Sequence, residues 1–170
     1  MEQAVSSEPM REDGYTLIEV LVVITLVALI AITATRLLFT SLAGAGKASA
    51  LAVVKQNGDH AIGVVERAIR DARVADCSAP SSLILTDGNG VDTTYSIVSG
   101  RVASTIASDV FLTSDRIVAE SFSCILTPGS SGSPDVVFVS FQLRLGDPSA
   151  DRPSEVAVER FETRTTLRTY

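Results

Sequence analysis

Few side chains in this sequence could carry covalent or metal chemistry. His60 is the single histidine, and Cys77 and Cys124 are the two cysteines. One histidine and two thiols fall short of the usual four-ligand zinc set, so no metal is expected. No Ser–His–Asp spacing, Gly-Lys phosphate loop or dinucleotide fingerprint is visible. No catalytic residue and no cofactor are therefore expected, and the chain reads as a protein that is not an enzyme. His60 falls in a helical stretch and reads as a surface or boundary residue. The conspicuous group is instead a carboxylate. Glu19 stands in DGYTLIEVLVVI, residues 13–24, at the start of a run suited to a lipid bilayer.

The element that positions Glu19 is an apolar helix. Tyr15 to Thr35 is 21 residues, of which 12 are Leu, Ile or Val. As a helix it would span about 31 Å, close to a hydrocarbon core of about 30 Å. Those aliphatic residues supply roughly −4 to −7 kcal/mol of insertion free energy. Glu19 costs about 3 kcal/mol at the bilayer centre and less near an edge, so insertion wins. A secretory signal peptide fits poorly, because the run is too long and Arg36-Leu37-Leu38-Phe39 follows it in place of a small-residue cleavage site. The flank Arg11-Glu12-Asp13 is net acidic. Basic-residue counting thus gives no orientation, and Arg36 and Lys47 argue weakly for the reverse of a simple signal anchor.

Gly14-Tyr15-Thr16-Leu17-Ile18-Glu19-Val20 resembles the type IV prepilin signature, a polar leader ending in Gly, then an aromatic, then Thr-Leu-Ile-Glu and a long apolar helix. The likeness is sharp over residues 11–35 and diffuse elsewhere. It implies a membrane-bound prepilin peptidase that cuts between Gly14 and Tyr15 and methylates the new amine of Tyr15. Tyr stands where Phe is commoner in that family. The resemblance implies that Glu19 meets the N-terminal amine of a neighbouring subunit and fixes the axial offset between helices. An unpaired buried charge is costly, and pairing removes much of that cost. The bland alternative is a Glu19 that snorkels to the membrane surface and does nothing more.

Beyond the membrane run, Val53/Val54, Ala61, Val64/Val65, Ala68/Ile69 and Ala72 repeat at helical spacing. Lys55, Asp59, Glu66, Arg67, Arg70, Asp71 and Arg73 lie opposite. Arg67, Arg70 and Arg73 form a basic row, read as a solvated face interleaved with acids and not as a DNA-contact stripe. Net charge is −6, with one basic and four acidic residues in the first 14. The balance gives no reason to expect nucleic-acid binding. One helix is expected over residues 15–76, with a bend or local melting at Ala43-Gly44-Ala45-Gly46.

The period changes to two after Pro80. Leu83 and Leu85, then Tyr95 and Ile97, read as strands around a turn at Asp87-Gly88-Asn89-Gly90. Ile117–Leu126 is a further strand. The Gly/Ser-rich loop 127–134 leads into the clearest one, where Val137, Val139, Phe141, Leu143 and Leu145 alternate with Ser140, Gln142 and Arg144. A polar loop, 146–154, precedes the last, where Phe161, Thr163, Thr165 and Leu167 alternate with charged residues. Four to six antiparallel strands after a long helix give an α+β fold. The pilin resemblance implies the same, a sheet wrapped on the second half of the helix.

Four segments are expected: a leader over 1–14, a membrane or fibre-core helix over 15–42, an amphipathic continuation over 43–76 and a β domain over 77–170. Cys77 is expected to end the helix and Cys124 to lie on a strand. In an oxidising compartment their bond would contribute about 4 kcal/mol. Two buried free thiols are the other reading.

The leading functional expectation is a structural subunit of a type IV pilus or type II secretion-like filament, a minor pilin or pseudopilin. Its partners would be prepilin peptidase, other pilin subunits, a platform protein with its ATPase, and membrane lipid before assembly. The β domain would be extracytoplasmic. The alternative is a single-pass membrane-anchored binding or sensor module that does not polymerise.

Overall fold

The computed structural model describes residues 14–130, 133–147, 149 and 151–168. Nearly all of the expected leader lies outside them, as do parts of the loops 127–134 and 146–154. The chain divides into two compact units, between Leu42 and Ala43. Helix α1, Leu17–Asp71, is continuous through that division. The glycines at 44 and 46 therefore do not melt the helix, one of the two outcomes expected there. Just beyond them, the Lys47 ammonium donates to the Val156 carbonyl and Ala50 is buried. These tertiary contacts offset the weak propensity.

In the second unit, Ala50, Val54, Gly58, Ala61, Val65, Ile69 and Ala72 are buried. Their mixed four- and three-residue steps keep one stripe on one side of the helix. The stripe joins a single core with Leu83, Leu85, Tyr95, Val102, Phe122, Val137, Val139, Phe141, Leu143 and Phe161. Ser114 N–H donates to the Asn57 side-chain oxygen at 2.9 Å, fixing a loop to the helix.

The helix stops five residues earlier than expected. Arg73 N–H donates to the Thr86 carbonyl at 2.9 Å, which starts a sheet ladder in place of another helical turn. Residues Val74–Asp76 are strand β1, so Arg73 is not on the helix and Cys77 does not end it. β2 (Ser82–Thr86), β3 (Asp92–Val98), β4 (Arg101–Thr105) and β5 (Asp109–Phe111) complete a five-stranded antiparallel sheet in chain order. β6 (Ile117–Thr127), β7 (Val136–Leu145) and β8 (Ala157–Thr166) form a second, three-stranded one. Eight strands in two sheets thus replace the expected four to six in one.

The extra strands come from short segments with weak patterns. β3 and β4 are joined by Ser99-Gly100, both with positive φ (50° and 73°), as a two-residue hairpin turn requires. β5 is three residues, all exposed. In β7, Val137, Val139, Phe141 and Leu143 are buried as the alternation predicts. Ser140, on the other face, is also buried, between Ser123 and Glu162 in the ladder. The inward side of β8 is read correctly: Phe161 and Thr165 are buried, as is Leu167 just beyond the strand.

Candidate functional site

The first unit presents residues 14–42, and its geometry begins at the helix start. Thr16 precedes α1 and its hydroxyl accepts the Glu19 N–H at 3.3 Å. Thr16 is thus the N-cap of the helix. The Glu19 carboxylate also lies in the first turn, where negative charge complements the unpaired amides. The cap by Thr16 and the first-turn position of the Glu19 charge are local roles that the sequence reading missed, although both residue types at a helix start would have shown them. Tyr15 lies outside the helix. It borders a shallow apolar groove with Glu19, Val20, Val23 and Ile24.

Gly14 is exposed, and a Cβ built on it meets no described atom within 4 Å. Nothing in the described fold therefore demands glycine there.

From Leu17 to Leu42 the large apolar side chains all face solvent. Leu17 is 84% exposed, Leu37 73% and Phe39 67%, values no stable protein surface in water would keep over so long a run. The helix is long and apolar enough to cross a membrane, with a mean hydropathy of 2.8 in its most apolar stretch. The hydroxyls are accommodated internally. Thr25 donates to the Val22 carbonyl at 2.8 Å, Thr33 to Ile30 at 2.9 Å, Thr35 to Ala31 at 2.8 Å and Thr40 to Arg36 at 3.0 Å. Each removes the cost of an unpaired hydroxyl in an apolar setting. Glu19 and Arg36 are then the only charged side chains among the described residues of this unit.

These features converge on residues 9–35, which match the family model of the prokaryotic N-terminal methylation motif. The chain carries an N-terminal methylation motif. Neither a curated protein nor a solved structure matches the chain. The methylation motif supports a type IV pilin or pseudopilin and points to a structural role, not an enzymatic one. It implies processing by prepilin peptidase and assembly with other pilins. With the apolar helix, it points to membrane anchoring.

The other sequence candidates lie in the second unit. Cys77 and Cys124 are bonded, with Cα atoms 5.4 Å apart and a sequence separation of 47. The bond ties the segment after β1 to β6, and Cys124 N–H donates to the Pro80 carbonyl at 2.9 Å alongside it. His60 is exposed on α1. Arg70 pairs with Glu66, as expected of a solvated face. The 87–90 turn closes the β2–β3 hairpin. Asn89 N–H and Val91 N–H donate to the Asp87 carboxylate at 2.7 and 2.9 Å. Those backbone bonds, Val91 first, hold the Asp87 pKa below its ordinary value.

Proposed function

We propose that this chain is a filament subunit of the type IV pilus or type II secretion class. It waits in the membrane as a precursor and assembles through residues 15–42 after its leader is removed. The β domain is extracytoplasmic, where the Cys77–Cys124 bond is stable. A platform protein and its ATPase drive insertion into the fibre. The observation that carries this reading is the coincidence of the methylation motif with a helical stretch, Leu17 to Leu42, whose large apolar side chains all face solvent. Polymerisation supplies the partners that such a surface needs.

Prepilin peptidase cuts between Gly14 and Tyr15 and methylates Tyr15. The absence of any described steric demand for glycine at position 14 supports a requirement set by the peptidase. Glu19 then docks against the new amine of a neighbouring subunit. Mass spectrometry of the mature chain tests the proposal. A methylated Tyr15 at the N-terminus is expected. An intact Met1, or a cut beyond Ala34, would defeat the filament reading in favour of a tethered module. Gly14→Leu is expected to accumulate as uncut precursor absent from sheared filaments.

A further inference from the structure

The first unit carries one acid and one base, Glu19 and Arg36, 17 residues apart on an exposed helix. Neither has an ion-pair partner among the described residues. At 1.5 Å per residue the two lie about 26 Å apart along the axis, too far to meet within one chain. A second observation concerns length. The exposed apolar band continues past Arg36 through Leu37, Leu38, Phe39 and Leu42, each at least 60% exposed. From Tyr15 to Leu42 is 28 residues, about 42 Å as helix against about 30 Å of hydrocarbon. A bilayer that covers the span from Tyr15 leaves that second band uncovered.

We infer that Arg36 receives Glu19 from a second, parallel copy of this chain displaced by 17 residues. This rests on the filament reading above. The offset meets both needs together. It sets Glu19 of one copy at the level of Arg36 of the other, and it lays Leu37–Leu42 of one against Val20–Thr25 of the other. At zero offset Glu19 faces Glu19 and Arg36 faces Arg36, which like-charge repulsion disfavours. A helical bundle gives each copy several neighbours at different heights. Contact between Glu19 and a Tyr15 amine therefore belongs to a different neighbour from contact with Arg36. A lipid phosphate could satisfy Arg36 alone, but it would leave Leu37–Leu42 bare. A second copy covers both.

Cross-linking in the full chain, in its own cells, reads the offset. Val23 and Thr40 each lie four residues beyond one of the charges, so they share its face. A V23C/T40C chain treated with a short bismaleimide should give a ladder of covalent multimers in sheared filaments, and V23C alone should not. R36K should keep the ladder; R36E and R36Q should lose it, with the Cys77–Cys124 bond intact as a check on folding. Filaments that form without the ladder overturn the pairing and leave the filament reading standing. So does a ladder indifferent to R36E, the result expected if Arg36 only meets lipid, or a link made solely to another protein. An uncut precursor with no filament of any kind overturns both.

Discussion

At the helix start the Thr16 hydroxyl accepts the backbone N–H of Glu19, a bond that a side-chain substitution at Glu19 keeps. Alanine removes the carboxylate charge together with most of the side chain. Glutamine keeps the size of the side chain and removes only the charge. Glu19→Gln is therefore expected to quicken amide exchange at Leu17–Val20 only slightly in detergent, through the lost charge–dipole interaction, while abolishing entry into filaments. Thr16→Ala should do the converse. Loss of the cap costs about 1 kcal/mol, which is about fivefold faster exchange in the first turn. If Glu19→Gln assembles normally, the docking role of the charge fails. Asp87 gives a second test. Its carboxylate is held ionised by the Val91 and Asn89 amides, so its folded pKa is below 3.8. Its contribution to the hairpin is therefore present above the ordinary carboxylate value and is lost as pH falls through the lowered one. The Asn89 and Val91 amide resonances should move only in that acid range, and Asp87→Ala should abolish the transition. The methylation motif around Glu19 was legible in the sequence because its residue types stand at a fixed spacing. Thr16 was not weighed, although its cap is equally local.

Helix α1 in the second unit is held by close approach at Gly58. A Cβ there would fall within the ring of Phe161 on β8, and that ring stacks on Phe141 with centroids 5.9 Å apart. Alanine gains roughly 1 kcal/mol in helix propensity, but overpacking a filled core costs typically about 1–3 kcal/mol. Gly58→Ala is expected to be destabilising, read as a lower urea midpoint with an unchanged slope. Adding Phe161→Leu makes room and should recover part of the loss, a coupling that a double-mutant cycle would measure. The helix face itself was readable, since Val54, Ala61, Val65 and Ile69 repeat at helical spacing. Its end was not. Apolar spacing continues past Asp71, and the stop depends on the Thr86 carbonyl, 13 residues beyond Arg73, offering a ladder bond. β4 was missed although Ser99-Gly100 is a turn dipeptide; β5 offers no apolar alternation to read, being exposed throughout.

The Cys77–Cys124 bond crosses from the strand order of the first sheet to β6 of the second. Closing a loop of that separation is worth about 4 kcal/mol on the chain-entropy model, a large share of the 5–15 kcal/mol typical of a domain. The C77A/C124A chain should unfold at a clearly lower denaturant concentration, and reductant should shift the native chain toward the same midpoint while leaving the variant unmoved. Reductant without effect would show that the bond contributes little. From the sequence alone came the apolar stalk, the processing motif, the helix-then-strands order and the inward faces of β7 and β8. All of these depend on local composition and on periods of 3.6 or 2 within one segment. Tertiary structure alone decided that the strands part into two sheets, that the helix yields at Asp71, that Gly58 receives the Phe161 ring and that the two thiols meet. Those outcomes depend on which backbone groups and side chains far apart in the chain arrive beside one another, and no period within a single segment encodes that.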